Sequence, residues 1–595
     1  MCKQMDSVIR KTIVGLWLLT CIFFTVDTGL FVDPSLSQTL LGGICALLMC
    51  IMGLIYGVIT KAKWPIHKGT ILVIVWIAYI FIHAYCIENA EQYKMFYFVV
   101  GLILLLTLSF FIQNRLICFR QIENGLLLMV LLQLLCLVLQ TLGIRGSDNT
   151  YFSLTGFGDN PNTVCILIAV CIPLLFDRLK DSQHSKALLL IIVLSIVYLL
   201  VLKCRTAIVG LLVICSIRLA FTMQVRNWLK GFDKKKMYII GVLTIITAAL
   251  FATALYKMKK DSADGRLLIW KISANMIAEK PLGWGVGMFE KTYNLCQGEY
   301  FASNKGSESE RTLADVVRMA YNDYLEQGVE TGLPGAILLS SFYLILIVKA
   351  YKNKRIKALS TICGFAVMST VSFVYSTIQA WIVLISFGAY VLSDTKKVRT
   401  ITSSIVVSTV CVSVCCLLLI RYCELAYSQM ELHNYESKFE NKEFVELDEI
   451  NKLKTQIGTS EAFYSFLGDV QLKNKNYHDA LCSFQKASLY TTDSKLFFSI
   501  FNCCDKLGKT VEGIVYIKKI SNIVPQNMMS RNILLKWYDH VGMYQKALEM
   551  AHDITDTKLK VTNPRSIQYQ QGAKYYIDNH ERNSLNIYNQ KIINK

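Results

Sequence analysis

The sequence predicts an all-α protein: a polytopic transmembrane bundle of about 13 helices carrying a C-terminal tail of helical repeats. Three observations predict it. Hydrophobic residues make up 53% of the 595 positions and charged residues only 18%, with a mean hydropathy of +0.41. A water-soluble globule cannot bury that much apolar surface, whereas a bilayer solvates it. The apolar residues gather in runs long enough to span, separated by short basic connections. After Arg421 the chain turns polar and mixed, and small residues recur there at Ala480, Gly513 and Ala547, 33 and 34 residues apart.

Taken in order, the runs fall near 11–31, 37–59, 69–87, 95–113, 123–143, 161–177, 186–202, 206–224, 237–256, 329–350, 357–376, 378–393 and 401–420. The first follows Lys3, Arg10 and Lys11 like a signal peptide, but no small-residue cleavage site follows it, so it reads as a retained helix. Lys and Arg count about 24 in the N-terminus and the connections near 60–68, 114–122, 178–186, 225–236, 349–357 and 394–400, against about four in the opposite short connections. The positive-inside rule then places the N-terminus in the cytoplasm. The long connection 257–328 and the tail come out on the outer, extracytoplasmic side.

The +19 net charge is thus spent on orientation, and without a basic stripe interleaved with aromatics nucleic-acid binding is excluded. The 20 cysteines lie mostly inside apolar runs and form no zinc-type pairing of C-x-x-C units, so neither metal nor cofactor is expected.

The tail begins after a linker, 422–458, and runs over 459–595. Leu467, Gly468, Ala480, Phe484 and Ala487 fit a tetratricopeptide unit, and Pro525 stands where such units often close. Two antiparallel helices need a small residue where they touch. Stacked units of this kind make concave surfaces for a protein partner.

Four polar features fall on the predicted outer side. Thr155–Pro161 enters the sixth helix; a turn and cap account for Asp159 or Asn160, although a helix N-terminus also attracts anions. Arg205 sits in the tight turn Lys203–Ala207, against the prevailing charge bias; a snorkelling arginine is the plain alternative. Gly265–Trp270, containing Arg266, precedes the glycine-rich Pro281–Gly287, and no strand precedes it to suggest a dinucleotide site. Finally, in Tyr321–Gly335, Asn322, Glu326 and Glu330 share one face of a helix that leads into a membrane run. That face is either simply solvated or functional, as ionisable residues near a membrane usually are.

In this order and on this topology, the four features resemble the O-antigen ligase and polymerase family, best from Thr155 to Gly335 within a membrane domain 1–421. The resemblance implies a membrane glycosyltransferase that moves a glycan en bloc from an undecaprenyl-diphosphate carrier to an acceptor hydroxyl during surface polysaccharide synthesis. It also implies donor-diphosphate binding by Arg205 and Arg266, with Asn160 and Asn322 in support. Guanidinium groups suit this task, pairing bidentately with phosphate and staying charged while the leaving group gathers negative charge. Many ligases have a histidine where this chain has Tyr321, and 257–328 contains none. A carboxylate must then assist the acceptor; Asp323 and Glu330 are the nearest, with Tyr321 the third catalytic candidate. The acceptor stays open between a glycan, a lipid and a protein, that is, between ligase, repeat-unit polymerase and protein O-oligosaccharyltransferase. A flippase for lipid-linked glycans is the alternative from another class, but the charged helix interiors and internal repeats it needs are not evident.

Overall fold

The computed structural model describes residues 2–87, 92–147, 149, 151–181, 185–222, 238–239, 242, 246, 253, 256–257, 260–393, 399–402, 404–458, 460–558 and 563–593. The helices of the bundle are α1 (Cys2–Phe23), α2 (Pro34–Thr60), α3 (Lys68–Cys86), α4 (Gln92–Gln113), α5 (Phe119–Thr141), α6 (Pro161–Asp181), α7 (Ser185–Val201) and α8 (Arg205–Ala220). The long connection folds into α9 (Lys260–Glu279), α10 (Phe289–Ala302), α11 (Glu308–Leu313) and α12 (Asp323–Glu330). The bundle resumes with α13 (Gly332–Lys352), α14 (Ile356–Met368), α15 (Ile378–Leu392) and α16 (Ile405–Glu440). The tail holds α17 (Leu447–Lys452), α18 (Lys454–Ile457), α19 (Glu461–Lys473), α20 (Tyr477–Ala487), α21 (Ser494–Lys506), α22 (Thr510–Ile523), α23 (Met528–His540), α24 (Tyr544–Asp556) and α25 (Pro564–Ile593).

The chain is an all-α polytopic membrane protein. Seven helices, α2 to α6, α13 and α16, are long and apolar enough to cross a bilayer, and α7, α14 and α15 are shorter apolar helices. Every run read from the sequence has its helix except 237–256, most of which lies outside the described residues. Only two short strands occur among the described residues, β1 (Lys63–Ile66) and β2 (Arg399–Thr402), paired antiparallel with Trp64 opposite Ile401. In the bundle core Trp381 stacks on Phe98 at 5.0 Å, and Trp76 meets the same ring edge-on at 4.9 Å.

The basic connections gather at one end. There Arg178 pairs with Glu123 at 3.0 Å, Arg218 with Asp177 at 2.9 Å, and Lys357 bridges to Asp177 at 3.1 Å. The folded connection and the tail share the opposite end, here called the loop end. Gln297 of α10 donates to the Ile523 carbonyl at 2.8 Å, and Lys291 donates to the Leu489 carbonyl.

Several boundaries differ from the sequence reading. The first helix stops at Phe23, well short of residue 31. The run 357–376 is helical only to Met368; residues 369–377 fold back as a loop, because their backbone groups are taken by side chains of α9 and α12. Glu330 does not enter the spanning helix: α12 ends there, and Gly332 at φ +72° starts α13 afresh. The composition break at Arg421 is not a structural break either. α16 runs through it for 36 residues, and Tyr422 lies fully buried against Gly43 of α2. The rest of 422–458, expected as a linker, is largely helical as well.

The tail is built from the antiparallel hairpins α19–α20, α21–α22 and α23–α24. Ala480, Gly513 and Ala547 each occupy the fourth position of the second helix of a hairpin, and all are buried. A side chain at Gly513 would press on Phe501 and Cys504 of the facing helix.

The shared end sets up a topology test. A periplasm-active reporter fused after Asn441 is expected to be active, and one fused after Lys354, in the α13–α14 turn at the basic end, inactive. Equal signals would contradict the alternation of helices through the membrane.

Candidate functional site

The loop end holds a site assembled from four pieces: the start of α8, the α9–α12 connection, the returning loop 369–377 and the start of α4. Arg205 is the first residue of α8 and reaches Ser262 of α9 at 3.5 Å. Arg266, one turn further along α9, donates to the Val371 carbonyl at 2.8 Å and lies over the Tyr321 ring at 4.8 Å. Burial pulls the Arg266 pKa below arginine's usual value; the Tyr321 phenol opposes this, and the nearby Arg205 charge adds to it. Among the described residues Arg266 has no ion-pair partner. Two cations held together without an acidic partner for Arg266 are a ready receiver for an anion.

Tyr321 is held in the left-handed region at φ +52°, uncommon for an aromatic residue. The turn is tied on its N-terminal side: Trp270 donates to the Ala320 carbonyl at 3.1 Å, and the Ala320 amide donates to Glu326 at 2.9 Å. Burial raises the Tyr321 phenol, while Arg266 and then Arg318 pull it back. Tyr321 therefore lies under the Arg266 guanidinium and feels the charge of Arg318, a cation that the sequence reading passed over.

Asn322 caps α12, accepting from the Tyr324 and Leu325 amides at 3.0 and 3.1 Å, and so precedes the helical face it was expected to share. Asp323 is fully buried. Its carboxylate accepts from the Val374 and Tyr375 amides at 3.1 and 3.2 Å, and its own amide donates to the Ser369 carbonyl at 2.8 Å. Burial pushes this carboxyl well above the usual range. From this buried position Asp323 clasps the loop 369–377.

Glu326 and Glu330 do share a face, and Lys94 lies on it. The Lys94 ammonium donates to Glu330 at 2.6 Å and to Glu326 at 3.0 Å. Glu326 also accepts from Ser376 at 3.1 Å. Burial raises the Glu330 carboxyl, and Lys94 draws it back down. Both carboxylates are about 1% exposed, whereas Lys94 is 23% exposed, so the lysine is their contact with the outside. Sequence reasoning missed Lys94, though a signal existed: it is one of the few cations on the side otherwise poor in them, standing at the start of an apolar run.

The glycine-rich Pro281–Gly287 closes the back of the site by backbone pairing. Trp284 and Gly285 amides donate to the Val329 and Glu330 carbonyls at 2.8 and 3.0 Å, and the Leu333 amide donates to the Pro281 carbonyl at 2.8 Å. His83 bonds the Leu282 carbonyl at 2.9 Å from α3. Gly283 lies at φ +96°, and a Cβ there would sit 2.5 Å from the Glu330 carbonyl oxygen. Gly283→Ala is expected to cost at least about 1–3 kcal/mol in backbone strain, read as a lower unfolding temperature of the purified protein. An unchanged temperature would mean that this clasp opens freely.

Among the described hydrogen bonds Asn160 makes none to these groups. It caps α6, accepting from the Asn162 amide at 2.9 Å, and the turn before it is held by α5, where Gln140 accepts from the Thr155 and Gly156 amides at 3.0 and 2.9 Å. Beside the site lies a polar cavity of about 550 Å³, lined by Lys94, Arg318 and Ser376 on the bundle and connection side and by tail residues opposite. Among the described residues no cluster of His, Cys, Asp and Glu is arranged to hold a metal.

No curated protein matches the chain. Residues 190–340 match the family model described as O-antigen ligase, a stretch that contains Arg205, Arg266 and all of Tyr321–Glu330, while Lys94, Asn160 and the tail lie outside it. With its bundle of apolar helices, the chain is a multi-pass membrane protein whose residues 190–340 are similar to the O-antigen ligase domain of a family of membrane glycosyltransferases.

Proposed function

We propose that this protein transfers a glycan en bloc from an undecaprenyl-diphosphate carrier to an acceptor hydroxyl at its loop end, on the periplasmic face of a bacterial inner membrane. The observation that carries the reading is the pair Arg205 and Arg266 within the matched residues: Arg205 reaches Ser262 of α9, one turn before Arg266 on the same helix. The arginines hold the donor diphosphate. The acceptor oxygen bonds to the anomeric carbon as the bond from that carbon to the phosphate oxygen breaks, and the electron pair leaves with the diphosphate. Preorganised cations stabilise the charge as it grows.

The acceptor's proton travels through the buried network. Lys94 gives a proton to Glu330 and takes the hydroxyl's in its place, so one proton ends on Glu330. A carboxyl raised by burial suits that role. Asp323 positions the loop 369–377 that carries the Val371 and Ser376 contacts, and the tail hairpins are of the tetratricopeptide type.

Reconstitution in liposomes with a labelled lipid-linked glycan tests the reading. Release of lipid diphosphate together with label on a co-reconstituted acceptor is expected, and the labelled product identifies whether that acceptor is a second lipid-linked unit, a lipid core or a protein. Movement of intact labelled lipid across the bilayer without cleavage would replace the reading with a flippase.

A further inference from the structure

The tail is not a detachable arm. It forms the far wall of the cavity beside Lys94. The near wall comes from the bundle end and α10, and the far wall from the start of α19 at Ser460–Ala462 and from Tyr490–Asp493, which joins the first two hairpins. The two walls are joined where Thr491 donates to Glu290 at 3.4 Å and Gln297 donates to the Ile523 carbonyl. We propose that this cavity is the acceptor subsite, and that it takes an uncharged or basic sugar of the acceptor glycan between the tail and the membrane domain.

The lining chooses the ligand class. Glu290 from α10 meets Glu461 and Asp493 from the tail across the opening, with Tyr97 and Tyr490 at its sides. Carboxylates accept paired hydrogen bonds from sugar hydroxyls, and aromatic rings offer flat apolar faces to the C–H side of a sugar. The same carboxylates repel phosphate and acidic sugars, which leaves the diphosphate to the arginines. Burial raises both Glu290 and Glu461, and the hydrogen bonds they accept from Thr491 and Ser465 only partly offset it; sugar hydroxyls would add further donors. Arg318, exposed, is itself part of the cavity wall, and its charge acts on Glu290 and Glu461 there and on Tyr321 beneath Arg266. A sugar seated here would present its hydroxyl toward Lys94.

This inference rests on the transferase reading, and the test separates the two. The full chain, in membranes of the producing strain, carries the photocrosslinker p-benzoylphenylalanine at position 490, or at position 462 if the first variant is poorly inserted. The expected result is a crosslinked species that stains as glycan after periodate oxidation. It should persist in Arg205→Ala, which removes donor binding, and fall about tenfold in Glu461→Gln and Glu290→Gln, as the loss of a charged hydrogen bond implies. In transfer assays with membranes as the acceptor source, the same two variants should raise the acceptor KM and leave the donor KM unchanged. Adducts of protein or of sugar-free lipid only, no adduct at either position, or a glycan adduct that vanishes in Arg205→Ala would each overturn the proposal. If transfer itself is absent while the glycan adduct survives, the binding site stands and the transferase reading falls.

Discussion

Arg266→Ala, correctly inserted, is expected to lose glycan transfer by at least two orders of magnitude, and Arg205→Ala to behave in the same way. A hydrogen bond to a charged group is worth about 1.5–3 kcal/mol, roughly a factor of ten or more in rate, and a bidentate arginine makes two. The lysine variants are the sharper measurement. Lysine keeps the charge but lacks the planar fork, so a diphosphate site should still lose transfer by roughly tenfold or more in Arg205→Lys and Arg266→Lys. Near-normal transfer in both would show that only general positive charge is needed. Arg266 also holds the Val371 carbonyl, so its loss loosens the returning loop. Arg205 is held differently, through Ser262 of α9, so a defect common to both residues points to the donor. Tyr321→Phe keeps the ring under Arg266 and removes only the hydroxyl; a loss of transfer there would give the hydroxyl a part in the reaction.

Lys94→Met is expected to be the most damaging single change to stability. It strips the ammonium from two carboxylates that are each about 1% exposed, leaving buried charge without its partner. Breaking such a group by removing one member costs about 3–5 kcal/mol. The protein should unfold at a lower temperature in detergent and transfer should vanish. Adding Glu330→Gln to Lys94→Met removes one of the stranded charges and should recover part of the stability, but not the transfer. Recovery of both would reduce the network to a structural brace, and a Lys94→Met protein of normal stability would mean that water reaches these carboxylates freely.

The bundle was legible because spanning helices must satisfy their own backbone and face lipid with apolar side chains, so each leaves a long hydrophobic run. The arginines were legible for a related reason. A cation on the side that the charge bias leaves nearly empty, as at Arg205, is not explained by orientation. Lys94 carried the same signal but looked like the ordinary end of a span. Nothing nearby in sequence announces Glu326 and Glu330 as its partners, because they lie more than 200 residues away. The run 369–377 misled in the opposite direction. Ser-Thr-Val-Ser-Phe-Val-Tyr-Ser-Thr is apolar enough to read as the end of a helix, yet its amides bond to Asp323 and its Val371 carbonyl to Arg266. Those competing partners decide its conformation, and hydropathy does not see them.

The sequence by itself determined the membrane architecture, the order of the polar motifs and the repeat period of the tail, since each rests on a local pattern of residue types that the chain carries wherever it folds. Only the tertiary structure decided that Asp323 clasps a loop, that Lys94 joins Glu326 to Glu330, and that α16 carries the tail back onto the connection to wall a cavity. Those outcomes depend on which buried polar groups find each other across long stretches of chain. A buried donor or acceptor without a partner is costly, and the fold settles where those partners meet.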